Sequence, residues 1–165
     1  MRRAALWSLC ILVFLSGCAV KRPSAEPVSE AFTCTVKATY RDIPVQATLS
    51  REAAGTLKLE FHEPTTLNGL TARWDGENVT LTMYGLSFSV DPSTVPESAL
   101  GEELLSVFDT VRRGEGERDT QNGTLTVRGN GKNGEYTAVF DADTGHPISL
   151  SVPSLPLTAE FYNVE

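Results

Sequence analysis

The sequence predicts a mainly β protein: a curved antiparallel sheet or incomplete β-barrel with one inserted amphipathic helix at about residues 96–113. Three observations carry that reading. Apolar residues fall at every second position through most of the chain after Ala31, which marks strands with one buried face. Turn-forming pairs interrupt the alternation at short intervals, at Asp75-Gly76, Asn122-Gly123, Asn133-Gly134 and Thr144-Gly145. One stretch, between Asp91 and Gly114, switches to helical spacing.

The elements follow in order. Phe32, Cys34, Val36, Ala38 and Tyr40 share one face of a first strand, with Thr33, Thr35, Lys37 and Thr39 on the other. A tight turn at Arg41-Asp42 leads to Ile43, Val45, Ala47 and Leu49. Leu57, Leu59 and Phe61 repeat the rule, with Lys58 and Glu60 outward. Strands are expected around 70–74, 79–83 and 86–90, with Gly85 at the turn between the last two. After the helical interruption, 124–127, 136–140, 148–152 and 157–161 bring the count to about ten, the spacing of a curved meander.

Within the interruption, Asp91-Pro92-Ser93-Thr94-Val95-Pro96 reads as a loop and helix start. Leu100, Leu104, Val107, Phe108 and Val111 then line one helical face, with Glu97, Glu102, Glu103 and Asp109 elsewhere. The acidic residues come early and Arg112-Arg113 come last, as the helix dipole favours, and Gly114 ends the run. A one-sided helix in a β protein needs an apolar surface to cover, and the inner face of a curved sheet supplies one.

The chain opens on Met1-Arg2-Arg3, followed by an apolar run over 4–15 broken only by Ser8, and then by Leu15-Ser16-Gly17-Cys18. A basic start, a short apolar stretch and small residues before a break form the signal-peptide pattern. The run is shorter than the roughly 20 residues a spanning helix needs. Its last four residues resemble the bacterial lipobox. That resemblance implies removal of 1–17, a diacylglyceryl group on the Cys18 thiol with further acylation of palmitate type, and attachment to the membrane through that lipid. Residues 18–30 would then be the lipidated cysteine and a flexible tether containing Pro23 and Pro27, and 31–165 a single domain.

Charge and cysteines narrow the function. The whole chain has 14 basic and 21 acidic residues; without Arg2 and Arg3 the balance is 12 against 21, a net charge of −9. An acidic domain suits neither nucleic acid nor electrostatic attraction to anionic lipid. Cys10 falls in the leader, Cys18 is the lipidation residue and Cys34 stands alone, so no disulfide framework exists.

No catalytic or metal-binding pattern emerges. His62 and His146 read as exposed surface histidines with no metal spacing. Gly129-Asn-Gly-Lys-Asn-Gly134 lacks the features of a phosphate loop and reads as a hairpin. Asp141 and Asp143 lack the closing glutamate of a calcium loop and read as a turn. Glu102-Glu103 and the Glu115, Glu117, Asp119 cluster read as solvated faces, since catalytic carboxylates need one raised pKa in an apolar pocket. Cys34 lies on an apolar strand face, where a thiol behaves as a small hydrophobe. The expectation is a non-enzyme with no cofactor and no metal.

The lipidated leader, the tether, the meander and the inserted helix together resemble the lipoprotein-carrier superfamily. That family includes periplasmic carriers of the LolA and LolB type and mycobacterial lipid-binding lipoproteins. Local echoes are Gly55-Thr-Leu-Lys-Leu-Glu-Phe61 ending near Pro64, Trp74-Asp75-Gly76 opening a hairpin, and the turn Phe140-Asp-Ala-Asp-Thr-Gly145-His-Pro147. The chain differs from the carriers in having one helix where they have several, and in showing no obvious protruding apolar loop. The resemblance implies a LolA-like half-barrel, a hydrophobic ligand such as an acyl chain in the concave face, and an extracytoplasmic location at the cell membrane, or at the outer membrane where the envelope has two. Candidate lining residues are Phe32, Val36, Ile43, Val45, Leu59, Phe61, Met83 and Phe88; the same residues would equally make a filled core. The alternative function is an envelope sensor or assembly protein that binds a protein partner.

Overall fold

The computed structural model describes residues 28–96 and 99–165. The lipobox, Cys18 and most of the tether therefore lie outside the described residues. Eleven strands form one antiparallel sheet in the order β6-β5-β4-β3-β2-β1-β11-β10-β9-β8-β7. They are β1 Phe32–Tyr40, β2 Ile43–Arg51, β3 Leu57–Glu63, β4 Thr71–Trp74, β5 Val79–Met83, β6 Leu86–Val90, β7 Glu117–Gln121, β8 Thr124–Gly131, β9 Gly134–Asp141, β10 Pro147–Val152 and β11 Leu157–Tyr162. The single α-helix among the described residues, α1, runs Leu100–Arg112.

The topology is two meanders joined at the middle. The first and last strands pair, with Val36 opposite Phe161 and Ala38 opposite Ala159. The two edges are β6 and β7, the strands that flank α1 in sequence. The chain thus leaves one edge, crosses the inner face as a helix and rejoins the sheet at the far edge. Because β6 and β7 do not pair, the sheet is curved but unclosed.

Hairpin chemistry sets the strand pairing. Arg41-Asp42 (φ 49° and 65°), Tyr84-Gly85 (51° and 79°) and Asn122-Gly123 (52° and 77°) put both central residues in the left-handed region. Two-residue hairpins of type I′ need that geometry, and it matches the twist of the flanking strands. The run from Gly129 to Gly134 is a hairpin, as expected: β8 ends at Gly131 and β9 begins at Gly134.

Two boundaries differ from the sequence reading. The helix begins at Leu100 rather than near 96, because Asp91 caps a separate 3-10 turn over Pro92–Thr94 first. The strand count is eleven, because Glu117–Gln121 is a strand whose residues carry no apolar alternation. Its pairing with β8 supplies the backbone partners, and both its faces stay wet except at half-buried Arg118.

The core is the inner face of the sheet closed against α1. Leu100, Leu104, Val107, Phe108 and Val111 of the helix are buried against Cys34, Leu49, Leu59, Val127 and Phe140 of the sheet. Phe108 meets Phe32 edge-on at 5.4 Å and leans on Phe161 at 5.7 Å. The chain is already engaged three residues before Ala31: Val28 packs against the core and the Ser29 N–H donates to the Gly145 carbonyl at 3.0 Å.

Candidate functional site

The register places inner-face side chains in rows that run across the strands. One row reads Cys34, Leu49, Leu59, Ala72, Leu81 and Phe88. The first four are at most 3 % exposed, Leu81 is half-buried and Phe88 is 56 % exposed. The next row runs from Ala47 to Phe61 and on through Leu70 to Met83 and Leu86, since Thr71 lies opposite Thr82 and the Phe61 N–H donates to the Leu70 carbonyl. There Ala47 is fully buried, Phe61, Leu70 and Met83 are half-buried, and Leu86 is 74 % exposed. Both rows become wetter toward the β6 edge.

The cause is the reach of the helix. Thirteen residues at 1.5 Å each extend about 20 Å. Eleven strands about 4.8 Å apart are roughly twice as wide. One helix therefore cannot cover the whole inner face. Its start covers the upper part of the β4–β6 wing, where Gly101 lies against the Trp74 ring, but not the lower part. A Cβ on Gly101 would stand 2.0 Å from Trp74 Cη2, so only glycine permits that approach.

Polar ties from several elements hold α1 in place, among them one from the β7 strand, where Arg118 Nη2 donates to the Val111 carbonyl. Trp74 Nε1 donates to Glu102 at 2.5 Å near the start of the helix. Asn133 Nδ2 donates to Glu103 Oε2 at 2.6 Å from the β8–β9 turn. Toward the end, Asp109 accepts from the buried Arg51 guanidinium and from the Gly55 N–H, the latter at 3.1 Å. Arg51 Nε also donates to the Glu30 carbonyl at 3.2 Å, and its guanidinium sits 5.9 Å above the Phe108 ring. The helix face and the strand faces packed against it are buried, and the exposed apolar surface lies beside them.

The candidate lining residues therefore divide. Phe32, Val36, Val45 and Leu59 are buried in the packed core. Phe61, Met83 and Phe88 come together on the uncovered strip, with Leu70, Leu81 and Leu86. Ile43, 52 % exposed, sits apart beside the β1–β2 turn. The strip ends in an exposed apolar hairpin, where Tyr84 is 86 % exposed. The sequence reading does not single out this hairpin, whose apolar residues Tyr84, Leu86 and Phe88 are exposed. Within the hairpin the sequence signal was Leu81, Met83, Leu86 and Phe88, which alternate with polar residues along both strands.

Other expectations change in detail. Glu103 is 1 % exposed rather than solvated, since it shares the helix face of Leu100, Leu104 and Val107, and Asn133 reaches in to meet it. His146 is half-buried in its turn. His62 is exposed on the outer face, with Nε2 at 2.8 Å from Thr48 Oγ1. Asp141 serves its turn: its Oδ1 accepts from the backbone N–H groups of Thr144 and Asp143, which hold its carboxyl below the ordinary carboxylate range. Burial pushes the Cys34 thiol up to about 12, which suppresses the thiolate needed for nucleophilic chemistry. Among the described residues no three His, Cys, Asp or Glu side chains gather as a metal site would require. The outer face carries a trough of about 590 Å³ lined by Lys37, Thr39, Gln46, Glu63 and Glu160 among others, too polar to hold an acyl chain.

No family model and no curated protein matches the chain. Solved structures resemble it. An uncharacterized conserved protein from Thermus thermophilus aligns with a TM-score of 0.51 at 10 % identity, covering 83 % of this chain and 78 % of its own. A LolA superfamily protein from Nitrosomonas europaea aligns with a TM-score of 0.42 at 8 % identity, covering 86 % and 89 %. A DUF1329 family protein from Desulfovibrio piger aligns with a TM-score of 0.45 at 9 % identity, covering 98 % and 92 %. At such identities the likeness to the Thermus protein is one of fold alone.

Proposed function

We propose that this is a non-catalytic, extracytoplasmic binding domain, tethered to a membrane through lipid on Cys18, that holds an acyl chain or similarly apolar ligand on the uncovered strip of the β4–β6 wing. One observation carries the reading: along the row from Cys34 to Phe88, exposure rises from 2 % to 56 % with no loss of apolar character. A soluble protein leaves such contiguous apolar surface to meet something. The burial of the side chains under α1 supports a ligand position on the open side rather than at the centre of the concavity, where the superfamily resemblance would put it. The lipobox at 15–18 supports the anchor, and the superfamily resemblance supports the ligand class.

Two experiments test it. Cys18→Ser should leave the protein unprocessed or released from membranes; unchanged attachment of that variant would reject the anchor. Full-length protein should take up a fluorescent fatty acid, and Leu86→Asp with Phe88→Asp should weaken uptake at least tenfold while the fold survives, since both positions are solvent-exposed. Absence of uptake, together with purification from membranes free of any lipid, would reject the ligand.

A further inference from the structure

Among the described residues, strand β6 is paired on one side only. Residues flanking a two-residue hairpin turn exchange both backbone hydrogen bonds, and bonded and non-bonded pairs then alternate. Met83–Leu86, Leu81–Phe88 and Val79–Val90 are the bonded pairs by that rule, so Ser87 and Ser89 turn their N–H and C=O away from β5. Natural edges are usually closed by charge, proline or a bulge. Residues 79–90, Val-Thr-Leu-Thr-Met-Tyr-Gly-Leu-Ser-Phe-Ser-Val, contain no charged residue and no proline, and the β5–β6 register is unbroken.

We propose that this edge docks a second copy of the chain, β6 against β6 in antiparallel register across a two-fold axis through Phe88. The occupant follows from two features. The first is charge: the chain carries a net −7, and this hairpin is an edge where two like-charged copies meet without opposing charges. The second is self-complementarity. On the outer face Thr82 and Ser87 lie 3.0 Å apart and Thr80 and Ser89 lie 2.9 Å apart, hydroxyl to hydroxyl. Pairing about Phe88 sets Ser87 beside Ser89 of the second copy, so each row becomes Thr-Ser-Ser-Thr. On the inner face Leu86 meets Val90 of the second copy and the two Phe88 rings adjoin. The outward N–H and C=O groups of Ser87 and Ser89 are the bonded pairs in that register, and a closed two-fold pair leaves no further β6 edge to propagate, while the β7 edges that remain carry Glu117, Arg118 and Asp119. The inference rests on the strand's edge, whereas the proposed function rests on its face.

Full-length protein in its membrane tests it. Phe88→Cys places two thiols across the axis at about 5 Å between Cβ atoms, and mild oxidation should give a species of twice the monomer mass. Thr120→Cys on the other edge should stay monomeric. Sedimentation of the detergent-extracted wild-type chain should show the dimer. Ser87→Pro, which removes an outward N–H, should be monomeric with unchanged circular dichroism. If Ser87→Pro unfolds, Ser87→Lys serves in its place, with the same expected loss of the dimer. A Phe88→Cys product no stronger than that of Thr120→Cys, or a folded Ser87 variant that still dimerises, would overturn the proposal. Fatty-acid uptake by the monomeric Ser87 variant keeps the two proposals separate: retained uptake with a lost dimer upholds both, and a monomeric wild-type chain that takes up fatty acid rejects the dimer alone.

Discussion

Strands β6 and β7 occupy equivalent places in the topology, each at the end of the sheet and each paired on one side, yet their surroundings differ. On the β7 side the inner face is closed: Leu125, Val127, Tyr136, Ala138 and Phe140 are at most 2 % exposed. The edge there carries Glu117, Arg118 and Asp119, charges of the kind that discourage strand addition. On the β6 side Leu86 and Phe88 are open to solvent and the edge carries no charge. The difference teaches that a single helix is too short to close a sheet this wide, and that the edge left without charge is also the one with uncovered apolar surface.

Substitutions should expose that asymmetry. The largest effect is expected on the closed side, where Phe140→Ala removes a fully buried ring and should cost about 3–5 kcal/mol in chemical denaturation. A cost below about 1 kcal/mol would mean the closed wing is no better packed than the open one. Asp109→Ala comes next. It leaves the Arg51 guanidinium, 1 % exposed, without its carboxylate and should cost about 3 kcal/mol. Restoring most of that stability by adding Arg51→Met would identify the unpaired charge as the cause.

Gly101→Val probes how the helix meets the open wing. The new Cβ would stand 2.0 Å from the Trp74 ring, and the repacking should cost about 1–3 kcal/mol. Its signature is a shift in tryptophan emission as Trp74 moves. Phe88→Ala should change stability by less than about 1 kcal/mol, because the side chain is more than half exposed. The same variant should lose fatty-acid uptake, so that stability and binding separate at this one residue.

The smallest effect concerns pH, and it should be alike on both sides. Asp75, in the β4–β5 turn, is held below the ordinary carboxylate range by the backbone N–H groups of Asn78 and Glu77. Asp141, in the β9–β10 turn, is held low by the Thr144 N–H and hydroxyl. A depressed carboxyl stabilises the fold fully above its unfolded pKa, and that stability fades as pH falls through the ordinary carboxylate value toward the lower folded one. Asp75→Asn and Asp141→Asn should each flatten the acid limb of stability against pH to a similar, small extent. A strong effect at one turn only would show that the asymmetry extends to the loops.

Much of this was legible along the chain because it is local. The alternation from Phe32 to Tyr40 and the Asn122-Gly123 pair depend on near neighbours, since side-chain direction in a strand and left-handed turn geometry are local properties. Strand β7 was not legible, since Glu-Arg-Asp-Thr-Gln has no buried face and is held by its partner's backbone. The role of Arg51 was not legible either, since its partner Asp109 is 58 residues away. Glu103 gave the wrong impression for a related reason: a glutamate stays solvated unless the fold brings a donor to it, and Asn133 arrives from a distant hairpin.

The sequence by itself determined an antiparallel meander interrupted by one amphipathic helix, because both periods are written in the spacing of apolar residues. Only the tertiary structure decided which part of the inner face that helix covers. That depends on where the chain crosses from β6 to β7 and on the ties at Trp74, Asn133 and Arg51, none of which leaves a period in the sequence. Phe32 and Phe88 therefore look alike in the chain, and only the fold makes one of them core and the other surface.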